Sequence, residues 1–354
     1  MNPIDLLIFI GALVVLIILH EFGHYAAAKL LGVEVEEFGI GFPPRALKLF
    51  TWRGTLFSLN WIPLGGFVRP KGENDPSIPG GLAAASPWVR ITVFLAGPVA
   101  NLIAAVLLYA IIFGRAGMPD ETITNIVDIA PNSPAAVAGL LPGDTLLSVA
   151  GVDIDSSAIL VDTIGANLGV ETVIVAARAG ETLEVTLIPR ENPPAGEGAI
   201  GITFSHPRIA IPLWQAGALG AETVYLQASQ LFMLPSQLMS GAVQPEEARL
   251  VGYVSMARMF QNVREQEADS GMPAGTNTMA FFAYISLSLG LLNLLPIPAV
   301  DGGRILFALP EILFRKRIPM RFENAVNLVS FGLLLLLLIY VNVQDVINPV
   351  EFAP

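Results

Sequence analysis

Cysteine is absent from all 354 residues. Disulfides, thiolate metal ligands and a cysteine nucleophile are thereby excluded, and redox chemistry gives no clue to the compartment. Histidine is almost as scarce, with His20, His24 and His206 making up the full count of 3. Charge is sparse at 14%, and its balance is acidic, with a formal net charge of −11. Such a chain repels phosphate backbones, so nucleic acid is not expected as a partner. What fills the space is apolar: 53% of residues are hydrophobic and the mean hydropathy is +0.64. Those values exceed soluble globular usage and fit a polytopic membrane protein.

Four stretches are long and apolar enough to cross a bilayer: Ile4 to Ala28, Trp88 to Phe113, Met279 to Val300 and Ala325 to Val341. Lys29, Arg45, Lys48, Arg53, Arg69, Lys71 and Arg90 follow the first. Arg304, Arg315, Lys316, Arg317 and Arg321 separate the third from the fourth. The positive-inside rule makes both loops cytoplasmic and places the termini and the middle region outside. No basic residue precedes the first run, so despite Ala26-Ala27-Ala28 it does not read as a cleaved signal and is expected to stay.

The end of that run carries His20-Glu21-Phe22-Gly23-His24. Three ionisable groups there are costly in hydrocarbon unless compensated, and a divalent cation compensates them. On a helix His20 and His24 share a face one turn apart, with Glu21 beside them. That geometry suits two imidazoles holding zinc, one ion per chain, and a carboxylate that activates a water. A catalytic zinc needs a third ligand. His206 lies beside Pro207 in what reads as an exterior linker and is expected to be a plain surface residue. Asp301 is the better candidate, closing Asn293-Leu294-Leu295-Pro296-Ile297-Pro298-Ala299-Val300-Asp301-Gly302-Gly303, whose prolines and glycines would unwind the helix and aim the carboxylate inward. With Asp301 as ligand, the apolar stretch Pro212 to Met239 cannot cross, because Asp301 would then emerge about 30 Å from the histidines. It is read as an amphipathic, surface-lying helix.

The middle region predicts a small β-rich domain: a strand at Thr122 to Ile129, a short helix at Ala135 to Leu140, a strand at Leu146 to Val149, and a hairpin of Val173 to Ala177 with Leu183 to Ile188. The run from Asn132 through Pro142-Gly143-Asp144 to Val149-Ala150-Gly151 resembles a PDZ domain, a module that binds an extended peptide at a sheet edge.

The first-span His-Glu-x-x-His and the later Asn-x-x-Pro-x-Pro-x-x-Asp-Gly together resemble the site-2 protease family of intramembrane zinc metalloproteases. The resemblance is to the regulator-of-sigma-E protease type with a PDZ insert, and it covers essentially the whole chain. It includes Pro63-Leu64-Gly65-Gly66-Phe67-Val68, similar to the family's re-entrant β-loop, and Gly97-Pro98-Val99-Ala100-Asn101, read as packing and kink. Val300 replaces the usual Leu, and there is room for one PDZ domain where many relatives carry two.

The resemblance implies a polytopic α-helical membrane protein with about four transmembrane helices, an inserted extracytoplasmic α+β PDZ-like domain and a cytoplasmic-side re-entrant β-loop. The expected parts are a membrane core at 1–113, the PDZ-like domain at 114–206, a linker with a surface helix at 207–278, and a second membrane core at 279–354. It implies Glu21 as general base, with His20, His24 and Asp301 on zinc. Asn293 and the segment Leu64, Gly65, Gly66 and Phe67 would contact the substrate backbone. Single-span membrane proteins of the bacterial cytoplasmic membrane, such as anti-sigma factors already trimmed outside or remnant signal peptides, are the implied substrates. A peptide or substrate segment at the PDZ-like domain would control their entry. Two alternatives stand beside this: a membrane zinc protease cutting exposed segments, usually with a Glu third ligand, and a non-catalytic scaffold, for which Glu21 would be superfluous.

Overall fold

The computed structural model describes residues 2–244, 249–267 and 271–349, with the backbone alone at 63 and 64. These form two compact units, Met1–Gly114 with Pro212–Pro354, and Arg115–Ile211.

The first unit begins with α1, Pro3–Leu30. Asn2 caps it by accepting from the Ile4 amide at 3.0 Å, and Pro3 occupies the first turn, where its missing N–H goes unneeded. Its 28 residues rise about 42 Å, more than a hydrocarbon core requires. Two strands follow, β1 (Val35–Trp52) and β2 (Thr55–Pro70), joined by Arg53 and Gly54, both at positive φ as a two-residue hairpin turn demands. Both strands fold back on themselves. Val35 to Ile40 pairs with Gly66 to Pro70 on one side, and from Glu37 onward with Leu56 to Leu59 on the other. Among the described residues, Gly66 to Pro70 pairs with β1 alone, so its outer side is a sheet edge. Then comes α2, Pro87–Ala116, with Pro98 inside it.

The second unit holds β3 (Met118–Pro119), β4 (Thr124–Ile129), α3 (Pro134–Val137), β5 (Thr145–Val149), β6 (Val152–Asp153), α4 (Ser157–Ala166), β7 (Thr172–Arg178), β8 (Glu181–Leu187), β9 (Ile202–Ser205) and β10 (Arg208–Ile209). Its main sheet runs β8-β7-β5-β4-β9, with β6 on β5, and β3 pairs with β10. Ile126, Leu146, Val149 and Ile174 all enter one core with Leu160 and Ile164 of α4, and a register irregularity between Leu146 and Ser148 brings both Leu146 and Val149 of β5 inward. The predicted strands and hairpin are present, and Ala179-Gly180 turns it with both φ positive. The sequence reading lacked α4 and β9. His206 is also no plain surface residue: Nδ1 faces the Ile123 carbonyl at 2.8 Å and so carries the proton, leaving Nε2 to accept from Ser157 at 2.6 Å.

The first unit resumes with α5 (Leu213–Ser240), α6 (Tyr253–Gln266), α7 (Thr276–Leu294), α8 (Asp301–Phe314) and α9 (Met320–Ile347). Among the described residues, four helices are long and apolar enough to cross a membrane, α1, α2, α7 and α9, as expected from sequence. Two expectations need correction. The third span does not reach Val300: α7 stops at Leu294, and what looked like a short basic loop contains the whole of α8. Nor is 207–278 a linker. Ala216, Gly220 and Val224, one per turn of α5, are buried, and a Cβ on Gly220 would meet the backbone of Val106 and Ala110 at 2.7 and 2.9 Å. Small residues set this packing, and average hydropathy does not register them. α6 is seated by Phe260, fully buried among Phe9, Phe281 and Phe282. It lacks a cap of its own; Asp345 of α9, itself fully buried, accepts from the Gly252 and Ser255 amides at 2.9 and 3.0 Å.

In the second unit, Asp144 is buried and takes a two-pronged bond from Arg178, Nε to Oδ1 and Nη2 to Oδ2, each 2.7 Å, plus the Leu141 amide at 2.8 Å. The Arg178 hydrogen bonds hold the carboxyl below its ordinary range against the opposing effect of burial. A depressed carboxylate stabilises above the unfolded pKa of about 3.9 and loses that contribution as pH falls through the folded value. Asp144→Asn is therefore expected to cost about 1–3 kcal/mol at neutral pH. Pulse proteolysis of the full chain across pH 2–7 should show the difference shrinking only at the acid end.

Candidate metal centre

α1 places His20 and His24 one turn apart, and their Nε2 atoms stand 3.2 Å from each other. The rings meet edge to face with centroids 4.8 Å apart. Asp301 Oδ2 lies 3.1 Å from His20 Nε2 and 3.3 Å from His24 Nε2. Side-chain exposures of 12, 11 and 13% put all three out of bulk water. Ligands at about 2.0–2.1 Å in a tetrahedral array stand about 3.3 Å apart, which is the size of this triangle. Three lone-pair donors converging this closely, with Asp301 Oδ2 buried and offered no donor besides the two rings, fit a divalent cation. Two imidazoles and one carboxylate with room for a further ligand are a zinc-type donor set.

Close helix packing makes the triangle possible. A Cβ on Gly23 would collide with the Ala96 carbonyl, and one on Gly97 with His24 Nε2 and His20 Cε1. The His24 ring is then oriented by its Nδ1, which donates to the Val93 carbonyl at 2.7 Å. His20 Nδ1 has the Asn101 amide nitrogen at 3.4 Å. The sequence favours packing and kink over chemistry for Gly97-Pro98 and Asn101; the chain pattern holds no signal that Asn101 faces His20, since the two residues lie on different helices.

Asp301 arrives by a break in the chain. Leu295 is extended, Ala299 has φ 79, and its amide donates to Asn327 Oδ1 at 3.1 Å. Gly302 and Gly303 lie against the Leu294, Leu295 and Ile297 carbonyls with no space for side chains, so α8 starts hard against the end of α7. Asp301, Arg304, Ala308 and Glu311 share one face of α8. Arg304 pairs with Glu73 and lies over the Phe94 ring at 5.5 Å, while Glu311 pairs with Arg90 of α2. The face that carries the ligand is thus pinned at two further points.

Glu21 sits beside the triangle, with the backbone of Val68 hydrogen-bonded to its carboxylate. Gly66 approaches so closely that a Cβ there would be 3.1 Å from Glu21 Cγ. The edge of β2 therefore passes the candidate base. Gly65, at φ 104, abuts the Phe42 ring, and the Phe67 ring packs across Gly39, leaving only its backbone along the edge. The side chain of Leu64 lies outside the described residues. Asn293 donates Nδ2 to Leu289 O of its own helix at 2.9 Å.

The described residues form grooves in each unit. One, about 480 Å³, follows Leu6, Leu13 and Ile17 along α1 beneath Tyr253 and Ala257 of α6 and ends at Gly65. The other, about 290 Å³, lies in the second unit between Leu160 and Ile164 of α4 and Ile202 and Phe204 of the edge strand β9.

Gly97→Ala should push the histidine rings out of register. A misplacement of about 1 Å costs on the order of 100-fold in rate, and bound zinc should fall with it. Gly11→Ala, on the same helix as the histidines with nothing within 4 Å, should change neither. Zinc content and cleavage rate of the purified variants check both outcomes.

Comparison with known proteins places the chain in a family. The model of peptidase family M50 matches residues 8–337. A Campylobacter jejuni protein named "putative zinc metalloprotease" is 33% identical over 345 residues, covering 94% of this chain and 90% of that protein. A Clostridium perfringens protein of the same name is 32% identical over 338 residues, covering 95% and 96%. The PDZ domain of an SdrC-like protein from Listeria monocytogenes overlaps 24% of this chain and 87% of its own, at 21% identity and a TM-score of 0.21. With 330 of 354 residues inside the family match and motifs that meet at one metal-binding triangle, the chain belongs to peptidase family M50, the site-2 protease family of membrane metalloproteases.

Proposed function

We propose that this chain is an intramembrane zinc endopeptidase that cuts single-span membrane proteins. The observation that carries the reading is the His20–His24–Asp301 triangle beside Glu21, set on an apolar span and flanked by a free strand edge. One zinc per chain, bound by those three residues, would supply Lewis acidity and an acidified water. Glu21 takes the proton of the attacking water and returns it to the nitrogen of the leaving amine. The Val68 backbone holds the Glu21 carboxylate in place for both transfers.

A helical substrate hides its carbonyls in its own hydrogen bonds, so it must unwind before it is cut. Apart from the Val68 backbone, which bonds Glu21, the edge at Gly66 to Pro70 would offer replacement partners for an added strand, and the missing side chain at Gly66 would let the substrate backbone approach Glu21. Leu64, Gly65, Gly66 and Phe67 would contribute backbone here, and Asn293 Oδ1 would accept a substrate N–H. The apolar groove along α1 ends at the same glycines, which suits the delivery of a hydrophobic segment.

The basic loops support a bacterial cytoplasmic-membrane placement with the β-hairpin inside as a re-entrant loop, and both termini and the PDZ-like unit outside. There the β9–α4 groove would take an extended peptide and admit substrates already trimmed, such as anti-sigma-factor-like proteins or remnant signal peptides.

The test is incubation of the full chain in proteoliposomes with a panel of single-span substrates, alongside zinc quantification. Wild type should cut within the span. Glu21→Gln should keep zinc and lose at least about 1000-fold in rate, and Asp301→Ala should lose both zinc and activity. Full zinc and activity in Asp301→Ala would remove the third ligand from the scheme, and cleavage confined to exposed segments would favour a quality-control protease.

A further inference from the structure

Histidines that hold a metal through Nε2 carry their proton on Nδ1 and donate it to an acceptor, which fixes the ring and raises its basicity. His24 meets that requirement at the Val93 carbonyl, 2.7 Å away. Among the described residues, His20 has no carbonyl there. The group at its Nδ1 is the side-chain amide of Asn101, 1% exposed, with Nδ2 at 3.4 Å. With Nδ2 turned to the ring, it donates to an unprotonated Nδ1, which puts the ring proton on Nε2, the atom facing His24 and Asp301. That tautomer cannot offer a lone pair to a metal.

The other end of the amide resolves the conflict. Among the described residues, Asn101 Oδ1 is buried without a hydrogen-bond partner, so neither end of the side chain is committed elsewhere. A half-turn about the terminal torsion exchanges two isosteric ends and brings a carbonyl oxygen to His20 Nδ1. The main chain at this point is held, because Ser286 of α7, fully buried, donates to the Asn101 backbone carbonyl at 2.8 Å. The amide can therefore rotate while its Cα stays placed.

We propose that Asn101 is a positioning residue of the metal centre: its side-chain carbonyl accepts the Nδ1 proton of His20 and thereby keeps Nε2 free to bind the cation. The inference rests on reading the triangle as a zinc site. Asn101 touches neither substrate nor metal; it acts through the tautomer and orientation of His20. α1 supplies the ligand, α2 the acceptor, and α7 the anchor.

Two near-isosteric substitutions separate an acceptor from a packing role. Asn101→Asp keeps an acceptor at the ring, and Asn101→Leu keeps the volume without one. In the full chain in detergent, zinc affinity is read by competition with a chelator. Wild type and Asn101→Asp should agree within about tenfold, while Asn101→Leu should bind about 10–100-fold more weakly. Saturating zinc should restore most of the kcat of Asn101→Leu, as expected of a residue that tunes binding of the ion. In the zinc-loaded wild type, nitrogen-15 NMR should show a His20 Nδ1 proton protected from exchange, a signature that needs no variant to fold. Equal affinity in wild type and Asn101→Leu, equal losses in both variants, or an unprotonated Nδ1 in the loaded wild type would each overturn the proposal. Failure of the wild type itself to bind zinc would bring down the metal reading along with it.

Discussion

The rest of the first unit is organised around one problem: three ionisable donors, His20, His24 and Asp301, converge within 3.1 to 3.3 Å of one another at an apolar helix. Such a cluster is unfavourable away from water unless a cation sits among the donors. Several otherwise odd features become requirements of that arrangement. Gly23 and Gly97 let α1 and α2 approach until the imidazoles touch the α2 backbone. The chain breaks after Leu294, and α8 restarts with Asp301 as its first residue, the carboxylate projecting from the helix end. Gly302 and Gly303 bring that end against the carbonyls it has just left. Each feature sacrifices regular helix or side-chain volume to place a donor.

The same helix face then locks the donor in position. Arg304 and Glu311 stand one and three turns beyond Asp301 and reach Glu73 and Arg90. The Arg304–Glu73 pair is partly exposed and contributes little to global stability, whereas Arg90 is buried and its pairing with Glu311 compensates a desolvated charge; together they fix the rotation of α8. Glu73 lies three residues past β2, the strand whose Val68 holds Glu21. The metal ligand and the candidate base are thereby referenced to one another through Arg304 and the end of β2. The β2 edge, Glu21 and Asp301 share one frame, and such a frame suits chemistry that depends on sub-ångström placement.

The two units are separately packed bodies. The second unit has its own core around Ile126, Leu146, Val149 and Ile174 and its own edge strand facing an apolar groove. The first unit repeats the device in a different form, with a glycine-bearing strand edge beside Glu21. Two free edges in one chain suit a protein whose ligands are extended peptides, because an edge recognises backbone without demanding a particular sequence.

Much of this was legible in the chain. Apolar runs reported four spans because the hydrocarbon imposes a length and a composition that survive in any sequence window. His20, Glu21 and His24 were legible because helical periodicity alone places them together. Asp301 was legible because an acidic residue at the end of an apolar stretch has to be explained. The extent of α7, the existence of α8, the seating of α5 by Ala216, Gly220 and Val224, and the partners of His206 were not. Nor was Asn101 at His20, or Val68 at Glu21. All of these are contacts between segments far apart in the chain, made through small residues and backbone groups that carry no pattern of their own. Local periodicity and chemistry thus determined which residues could bind a metal. Only the packing of α1, α2, β2 and α8 decided which atoms meet, because donor distances depend on helix crossings that no single segment encodes.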